Sequence, residues 1–318
     1  MKIVVLERGT VGADVSVDLL SRYGELIAYE NTLPEEIPER VADADIIVAN
    51  KRPINEKTIG GADKVKLVCQ FATGYDNIDI DYCRKRNIAV VNVSNYSTDA
   101  VVQHTFALTF YLLEHLRFYD DYVKSGEYSR QSRFSYFDRV YTELSGKTWG
   151  IIGMGNIGRS VAKAAEAFGC RVIRYSTSGS KREEAWAEAD LDTILKESDI
   201  LSLHCPLNDQ TRYLIDAAAL KKMKKTAILI NVARGAVVNN ADLAEALEAG
   251  TIAAAGLDVM EQEPIAEENP LMRIKDSDRL IITPHMAWAS LEARRRVVEE
   301  AGLNIEAFLK GECRNRIV

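Results

Sequence analysis

The sequence predicts an α/β protein built from two Rossmann-like parallel-sheet domains, the first flavodoxin-like and discontinuous. Three features of its 318 residues predict this. Short, uniformly apolar runs alternate with helical stretches, the pattern of strands buried on both faces and joined by helical crossovers. A Gly-x-Gly-x-x-Gly turn, Gly153 to Gly158, stands mid-chain between a strand and a helix. A long helix follows the last strand, and the chain is long enough for about two domains.

In chain order, residues 3–6 read as a first strand, 14–21 as a short helix, and 26–29 and 46–49 as strands. A helix begins at 56–61, a strand runs over 65–69, a helix over 80–86 and a strand over 89–91. These units amount to a small domain before the glycine turn is reached. Thr98 or Asp99 caps a long apolar helix, about 100–119, that carries the chain into the second domain. Residues 120–144 are expected to be irregular. Their aromatics, Tyr122, Tyr128, Phe134, Tyr136, Phe137 and Tyr141, either wrap a partner subunit or line their own domain. Residues 148–152 form the strand before the glycine turn, 161–168 the helix after it and 171–175 the next strand. Further strands are expected at 200–204, 227–232, 253–257 and 280–283, with helices at 191–196, 214–220 and 241–249. The last helix, 290–309, returns to the first domain, so the domains are expected at 1–98 with 290–318 and at 99–289.

The formal charge of -7 has both signs spread along the chain, which leaves no broad basic surface for nucleic acid. No apolar run reaches the roughly 20 residues that cross a membrane, and residues 1–7 read as a strand and not as an export signal. The five cysteines are odd in number and scattered, with no Cys-x-x-Cys pair, so neither a disulfide framework nor a metal site is expected. A cytoplasmic setting follows.

In the glycine turn, Gly153 permits a tight reversal, Gly155 lets a pyrophosphate approach the backbone, and Gly158 lets the helix pack on the strand. N–H groups of the first helical turn, at Asn156 and Ile157, would meet the diphosphate. Many dinucleotide folds close the second strand with an acid for the adenosine ribose. This chain has Ser176, then Thr177-Ser178-Gly179-Ser180-Lys181-Arg182. Hydroxyls with Lys181 or Arg182 suit a ribose 2′-phosphate, which a carboxylate would repel. NADP is therefore favoured over NAD; with those cations merely solvated, the site would accept either.

Three residues stand beside later strand ends: Arg234, Glu263 and His285. Ligands of such sheets sit beyond the carboxyl ends of the strands. Singly, each reads as readily as a surface or loop residue. Together they suit hydride transfer to a 2-oxo acid, which needs a cation for the carboxylate and oxo group and a proton donor for the developing alkoxide. Histidine can lend that proton while Glu263 orients its ring.

These segments resemble the D-isomer-specific 2-hydroxyacid dehydrogenase family over nearly the whole chain. The resemblance rests on the turn 153–158, His204-Cys205-Pro206-Leu207 with Thr211, Ile230-Asn231-Val232-Ala233-Arg234-Gly235, Asp258-Val259-Met260-Glu261-Gln262-Glu263-Pro264, and Thr283-Pro284-His285. It implies that Arg234 binds substrate, that His285 is the acid/base and that Glu263 is its carboxylate partner. It also implies cofactor contacts at His204, Pro206, Thr211, Val232, Ala233 and Asp258, the last equally readable as a structural cap. Substrate contacts are implied at Ala72, Thr73 and Gly74 for the carboxylate and at Asn50 and Lys51 in a neighbouring loop. Trp288 either roofs a small substrate or faces the core. The family further implies a homodimer formed through cofactor domains and an active site in the cleft between domains.

Within the family the chain is most similar to glycerate dehydrogenases (hydroxypyruvate reductases), on Asn50-Lys51 and Tyr96-Ser97-Thr98-Asp99-Ala100. Hydroxypyruvate or glyoxylate is thus the expected oxo acid. A D-3-phosphoglycerate enzyme is the alternative, since Lys51 and Arg52 suit a phosphate, and a D-lactate or branched-chain enzyme is another. A corepressor-like protein that senses NAD(P) and binds partners is the non-enzymatic alternative.

Overall fold

In the computed structural model, which describes residues 1–179 and 184–318, the chain forms two units: Met1–Ser97 with Trp288–Val318, and Thr98–Ala287. The first contains β1 (Lys2–Val5), β2 (Glu25–Ala28), α1 (Ile37–Arg40), β3 (Ile46–Ala49), α2 (Glu56–Ile59), β4 (Leu67–Gln70), α3 (Ile80–Lys85) and β5 (Ala89–Val91). Its sheet runs β2-β1-β3-β4-β5 with every pair parallel, the flavodoxin-like order. Every residue of β3 and β4 is buried, which is why these strands read as unbroken apolar runs and not as alternating ones.

The helix expected at 14–21 does not form. Two 3₁₀ turns, Arg8–Val11 and Asp18–Tyr23, flank a break. Gly12 is left-handed there, with φ 82°, and the Ser16 hydroxyl captures the Asp18 N–H at 3.0 Å, which diverts the backbone from a helical ladder.

The second unit opens with α4 (Thr98–Leu113), α5 (Leu116–Lys124) and α6 (Glu127–Arg130). The single helix expected over 100–119 is thus two, separated where His115 turns left-handed at φ 52°. Then come β6 (Thr148–Ile152), α7 (Asn156–Ala167), β7 (Arg171–Tyr175), β8 (Ala187–Glu188), α8 (Leu191–Glu197) and β9 (Ile200–Leu203). They are followed by α9 (Ala217–Lys222), β10 (Ile228–Asn231), α10 (Asn240–Glu248), β11 (Ala254–Leu257) and β12 (Leu280–Ile282), after which α11 (Leu291–Leu309) returns to the first unit. The sheet order is β12-β11-β10-β9-β6-β7-β8, all parallel. Growth of the sheet reverses direction at β6, so the crevice beyond the ends of β6 and β9 is a topological switch point.

The segment after α5 divides in two. Tyr136 stacks on Tyr122 with ring centroids 4.0 Å apart and lies near Phe118 and Tyr119, so it packs on its own helix. Phe134, Phe137, Val140 and Tyr141 stay exposed, Phe134 at 93%. Among the described residues no helix is long and apolar enough to cross a membrane.

Candidate active site

The carboxyl ends of the parallel strands in the second unit carry most of the expected residues. Gly153 follows β6, Ser176 follows β7, His204 follows β9, Arg234 lies just past β10, Asp258 follows β11 and His285 lies just past β12. One sheet edge thus gathers loops separated by more than a hundred residues of sequence.

At the glycine turn, Gly153 has φ 97°, and a Cβ there would stand 2.6 Å from the Cys205 nitrogen. A Cβ on Gly158 would lie 2.2 Å from the Gly153 carbonyl oxygen, so α7 packs on the turn as only glycine allows. Gly155 faces open space, with nothing within 4 Å of its Cβ direction, and α7 begins at Asn156 without a side-chain cap. An uncapped helix start beside an open backbone fits a pyrophosphate. The helix begins at Asn156, five residues before the expected 161, because the glycine turn itself is its first turn.

His204 is half-buried and its Nε2 lies 3.0 Å from the Ser202 hydroxyl. Desolvation by burial pulls its pKa down to about 3, so the ring is neutral at physiological pH. Pro206 is exposed, but Thr211 is fully buried and its hydroxyl donates to the Pro206 carbonyl at 2.7 Å. The Thr211 hydroxyl thus folds the 206–211 loop, on which the cofactor contacts of Pro206 and Thr211 are expected. Val232 is partly accessible and Ala233 is buried. Ser176 and Thr177 are half-buried at the end of β7, with the Ser176 and Ser178 hydroxyls 3.4 Å apart. Lys181 and Arg182 lie outside the described residues.

His285 Nδ1 lies 2.6 Å from Glu263 Oε2. A carboxylate only accepts, so Nδ1 carries the proton of this bond and Nε2 is the nitrogen that Glu263 does not hold. Glu263 Oε1 accepts from the Met260 N–H at 3.0 Å, which fixes the carboxylate. His285 itself is left-handed, φ 53°, an uncommon state for a residue with a Cβ. Asp258 holds it there. The Asp258 carbonyl accepts the His285 N–H at 2.7 Å, while its carboxylate accepts the Met286 and Ala287 N–H groups at 2.8 Å each and the Thr283 hydroxyl at 2.6 Å. Thr283, having given its one hydrogen to Asp258, accepts from His104 Nε2 at 2.9 Å. Asp258 is 1% exposed and its carboxylate is engaged by these donors, which is the geometry of the structural cap that stood beside the cofactor contact among the expectations. Neither His104 nor Thr283 was assigned a role; Thr283 stands in the Thr283-Pro284-His285 segment that carries the resemblance, and His104 has no signal beyond being polar.

Arg234 is positioned by Asn231, which is buried at the end of β10. Asn231 accepts the Ala233 N–H at 3.0 Å and donates to the Arg234 carbonyl at 2.9 Å. The Arg234 side chain is half-buried, with Nη1 on the Ala233 carbonyl at 2.8 Å. Gly235 matters next to it: a Cβ there would stand 1.9 Å from the Met260 carbonyl carbon. Arginine followed by glycine thus lets the β10 loop approach the loop that bears Glu263.

In the first unit, the carbonyls of Ala72, Thr73 and Gly74 are all consumed, by the Val93 N–H at 3.0 Å, Asn92 Nδ2 at 2.7 Å and Gln70 Nε2 at 3.2 Å. In a trans peptide the N–H points opposite to the C=O, so the N–H groups of residues 73–75 are turned away from those partners. In the neighbouring loop Asn50 is 3% exposed, with its N–H bound to Glu7 and its carbonyl to Gln70. Lys51 is exposed. Trp288 is half-buried and packs edge-on against Tyr96, ring centroids 6.1 Å apart.

The model of the D-isomer specific 2-hydroxyacid dehydrogenase NAD binding domain matches residues 106–287. The chain belongs to this family. Glycerate dehydrogenase of Methylorubrum extorquens is 40% identical to it over 316 residues, covering 99% of this chain and 98% of that one. Hydroxypyruvate reductase of Blautia hydrogenotrophica is 36% identical over 317 residues, covering 98% of each. An acyclic imino acid reductase solved in complex with NADPH and D-Arg has a TM-score of 0.89 to this structure at 30% identity, with 100% of both chains covered. As a member of the D-2-hydroxyacid dehydrogenase family, the protein is an NAD(P)-dependent oxidoreductase of small 2-oxo and 2-hydroxy acids, and its second unit is the NAD(P)-binding domain.

Proposed function

We propose that the protein reduces hydroxypyruvate, with glyoxylate as a second substrate, to the corresponding 2-hydroxy acid, D-glycerate in the first case. The observation that carries this reading is the Glu263–His285 pair, a 2.6 Å contact that fixes one ring nitrogen and leaves the other for proton exchange. The nicotinamide, when bound, supplies the hydride for the substrate's C2. His285 Nε2 gives its proton to the oxo oxygen, and the Glu263 carboxylate stabilises the charge that the ring carries beforehand. Arg234 holds the carboxylate and polarises the oxo group through its fixed guanidinium fork. In the first unit, the N–H groups of residues 73–75 and the Lys51 side chain are the proposed receptors for the acid's anionic end. The names of the two relatives, glycerate dehydrogenase and hydroxypyruvate reductase, support the choice of oxo acid.

Arg52 weighs against the phosphorylated alternative. Its guanidinium donates to Asn31 Oδ1 at 2.8 Å and sits 3.4 Å from Glu7 Oε1, so it is already engaged within the chain. For the cofactor, Ser176 in place of an acid supports NADP over NAD. For assembly, the exposed Phe134, Phe137, Val140 and Tyr141 support a homodimer made through the cofactor unit.

A steady-state screen of hydroxypyruvate, glyoxylate, pyruvate, 2-oxoisocaproate and phosphohydroxypyruvate, each with NADPH and NADH, tests the proposal. The expected outcome is the highest kcat/KM with hydroxypyruvate and NADPH. A strong preference for NADH removes the cofactor assignment, and cofactor binding without turnover of any oxo acid removes the catalytic one in favour of a nucleotide-sensing interaction protein.

A further inference from the structure

Glu7 lies just past β1 and is 3% exposed. Its Oε2 accepts three consecutive backbone N–H groups, those of Asn50 at 3.0 Å, Lys51 at 2.8 Å and Arg52 at 3.0 Å. Successive N–H groups converging on one point form a nest for an anion, and here the chain fills that nest with its own carboxylate. The other oxygen, Oε1, faces the Arg52 guanidinium at 3.4 Å, and Asn31 holds the far side of the same guanidinium.

The loop is tied from below as well. Gln70, 1% exposed at the end of β4, donates to the Asn50 carbonyl at 2.6 Å and to Asn77 Oδ1 at 2.8 Å. Asn77 in turn donates to the Arg52 carbonyl at 2.8 Å. The loop is therefore held through the three N–H groups of residues 50–52 and the carbonyls of Asn50 and Arg52, by buried Glu7 and Gln70 and half-buried Asn77. Burying a carboxylate costs free energy unless it is fully hydrogen-bonded. A chain that needed this loop only as a connector would be served by a neutral side chain at position 7.

We propose that Glu7 is a positioning and specificity residue: it closes the backbone nest of the 50–52 loop and keeps Arg52 from the substrate, so that an oxo acid with one anionic group is preferred over one that also bears a phosphate. This rests on the reading above that the 50–52 loop faces the oxo acid. The nest is already filled by Glu7 Oε2, and Nε and Nη2 of the guanidinium face Glu7 Oε1 and Asn31, which weakens both for a second anion. Freed from the Glu7 carboxylate, the guanidinium would serve one, since arginine is the side chain best matched to phosphate.

Steady-state kinetics of Glu7→Gln with hydroxypyruvate and phosphohydroxypyruvate test this. The ratio of kcat/KM, phosphorylated over unphosphorylated, should rise about 10-fold, the size of one charge-assisted hydrogen bond gained. KM for hydroxypyruvate should rise while kcat stays within about twofold, the mark of lost positioning and not of lost chemistry. Adding Arg52→Gln should cancel the gain in the ratio. An unchanged ratio, or a gain that survives Arg52→Gln, overturns the proposal. If Glu7→Gln does not fold, Asn31→Ala loosens Arg52 from an exposed position and should move the ratio the same way by a smaller factor; no movement overturns the proposal equally. Lys51→Gln separates the two readings. If it leaves the KM for hydroxypyruvate untouched, the loop does not face substrate and the underlying reading fails; if it raises that KM while Glu7→Gln leaves the ratio unchanged, only the present proposal fails.

Discussion

Two turns on the same edge of the second sheet are built by opposite means. The turn after β6 is shaped by what is missing: Gly153 and Gly158 lack side chains where a Cβ would stand 2.6 and 2.2 Å from backbone atoms. The turn after β12 is shaped by what is present. His285 keeps its side chain in a left-handed backbone because Asp258, twenty-seven positions earlier, binds the N–H groups of Met286 and Ala287 and, through its carbonyl, that of His285. A turn that receives a phosphate needs bare backbone, whereas the proposed proton transfer needs an imidazole, and the two needs match the two designs. Local constraints are written locally; the His285 turn is held from another strand.

The comparison can be broken at either turn. The largest effect on cofactor binding is expected from Gly158→Ala, which forces α7 off the Gly153 carbonyl. Fluorescence titration should show the NADPH Kd rising by about 100-fold, close to 3 kcal/mol. A change below a few-fold would mean that the turn absorbs a methyl group and that its glycines are not sterically required.

A smaller effect is expected at the other turn. Asp258→Asn puts an amide NH2 where the carboxylate now faces N–H donors. By analogy with other residues that orient a reacting side chain, kcat should fall about 10- to 100-fold, with the NADPH Kd within about twofold. If the Kd rises instead and kcat holds, Asp258 serves the cofactor after all.

The smallest effect concerns His204, whose backbone packs against Gly153. Its pKa is held at about 3 in the folded state, against about 6.5 in an unfolded chain. Between those values the unfolded state binds the extra proton, so stability is lost as pH falls through that window and regained as it rises. The slope from this group is at most about 1.4 kcal/mol per pH unit, and less to the extent that solvent reaches the ring. His204→Gln should flatten the acid limb of a urea-midpoint series between pH 6.5 and 4 and leave the midpoint near pH 8 almost unmoved. Parallel acid limbs would place the proton elsewhere.

How much was legible follows the same division. Both parallel sheets, apart from the short exposed β8, were readable because strands buried on both faces carry apolar runs, as in Ile46–Ala49. The glycine turn was readable because its steric demands fall on its own residues. The break at His115 was not, since no glycine marks its left-handed φ of 52°. The 14–21 segment misled because Ser16 competes for a backbone N–H. At the site, Arg234, Glu263 and His285 were singled out by chemistry and family resemblance, and Asp258 by resemblance, but the bonds that join Asp258 to Thr283 and Thr283 to His104 were not, because they span 25 and 179 residues of sequence. Asn50 and Thr211 were named by family resemblance alone; that both are buried, Asn50 with its backbone bound by Glu7 and Gln70 and Thr211 with its hydroxyl on the Pro206 carbonyl, has no mark in the local sequence.

The central claim is that His285, fixed by Glu263, exchanges the proton at the substrate oxygen. The most direct test is kcat for hydroxypyruvate reduction by His285→Ala across pH 5 to 9, with the NADPH Kd measured alongside. The account predicts a loss of about 100-fold or more and a Kd within about twofold of the unaltered protein. Near-normal turnover across that range would contradict it.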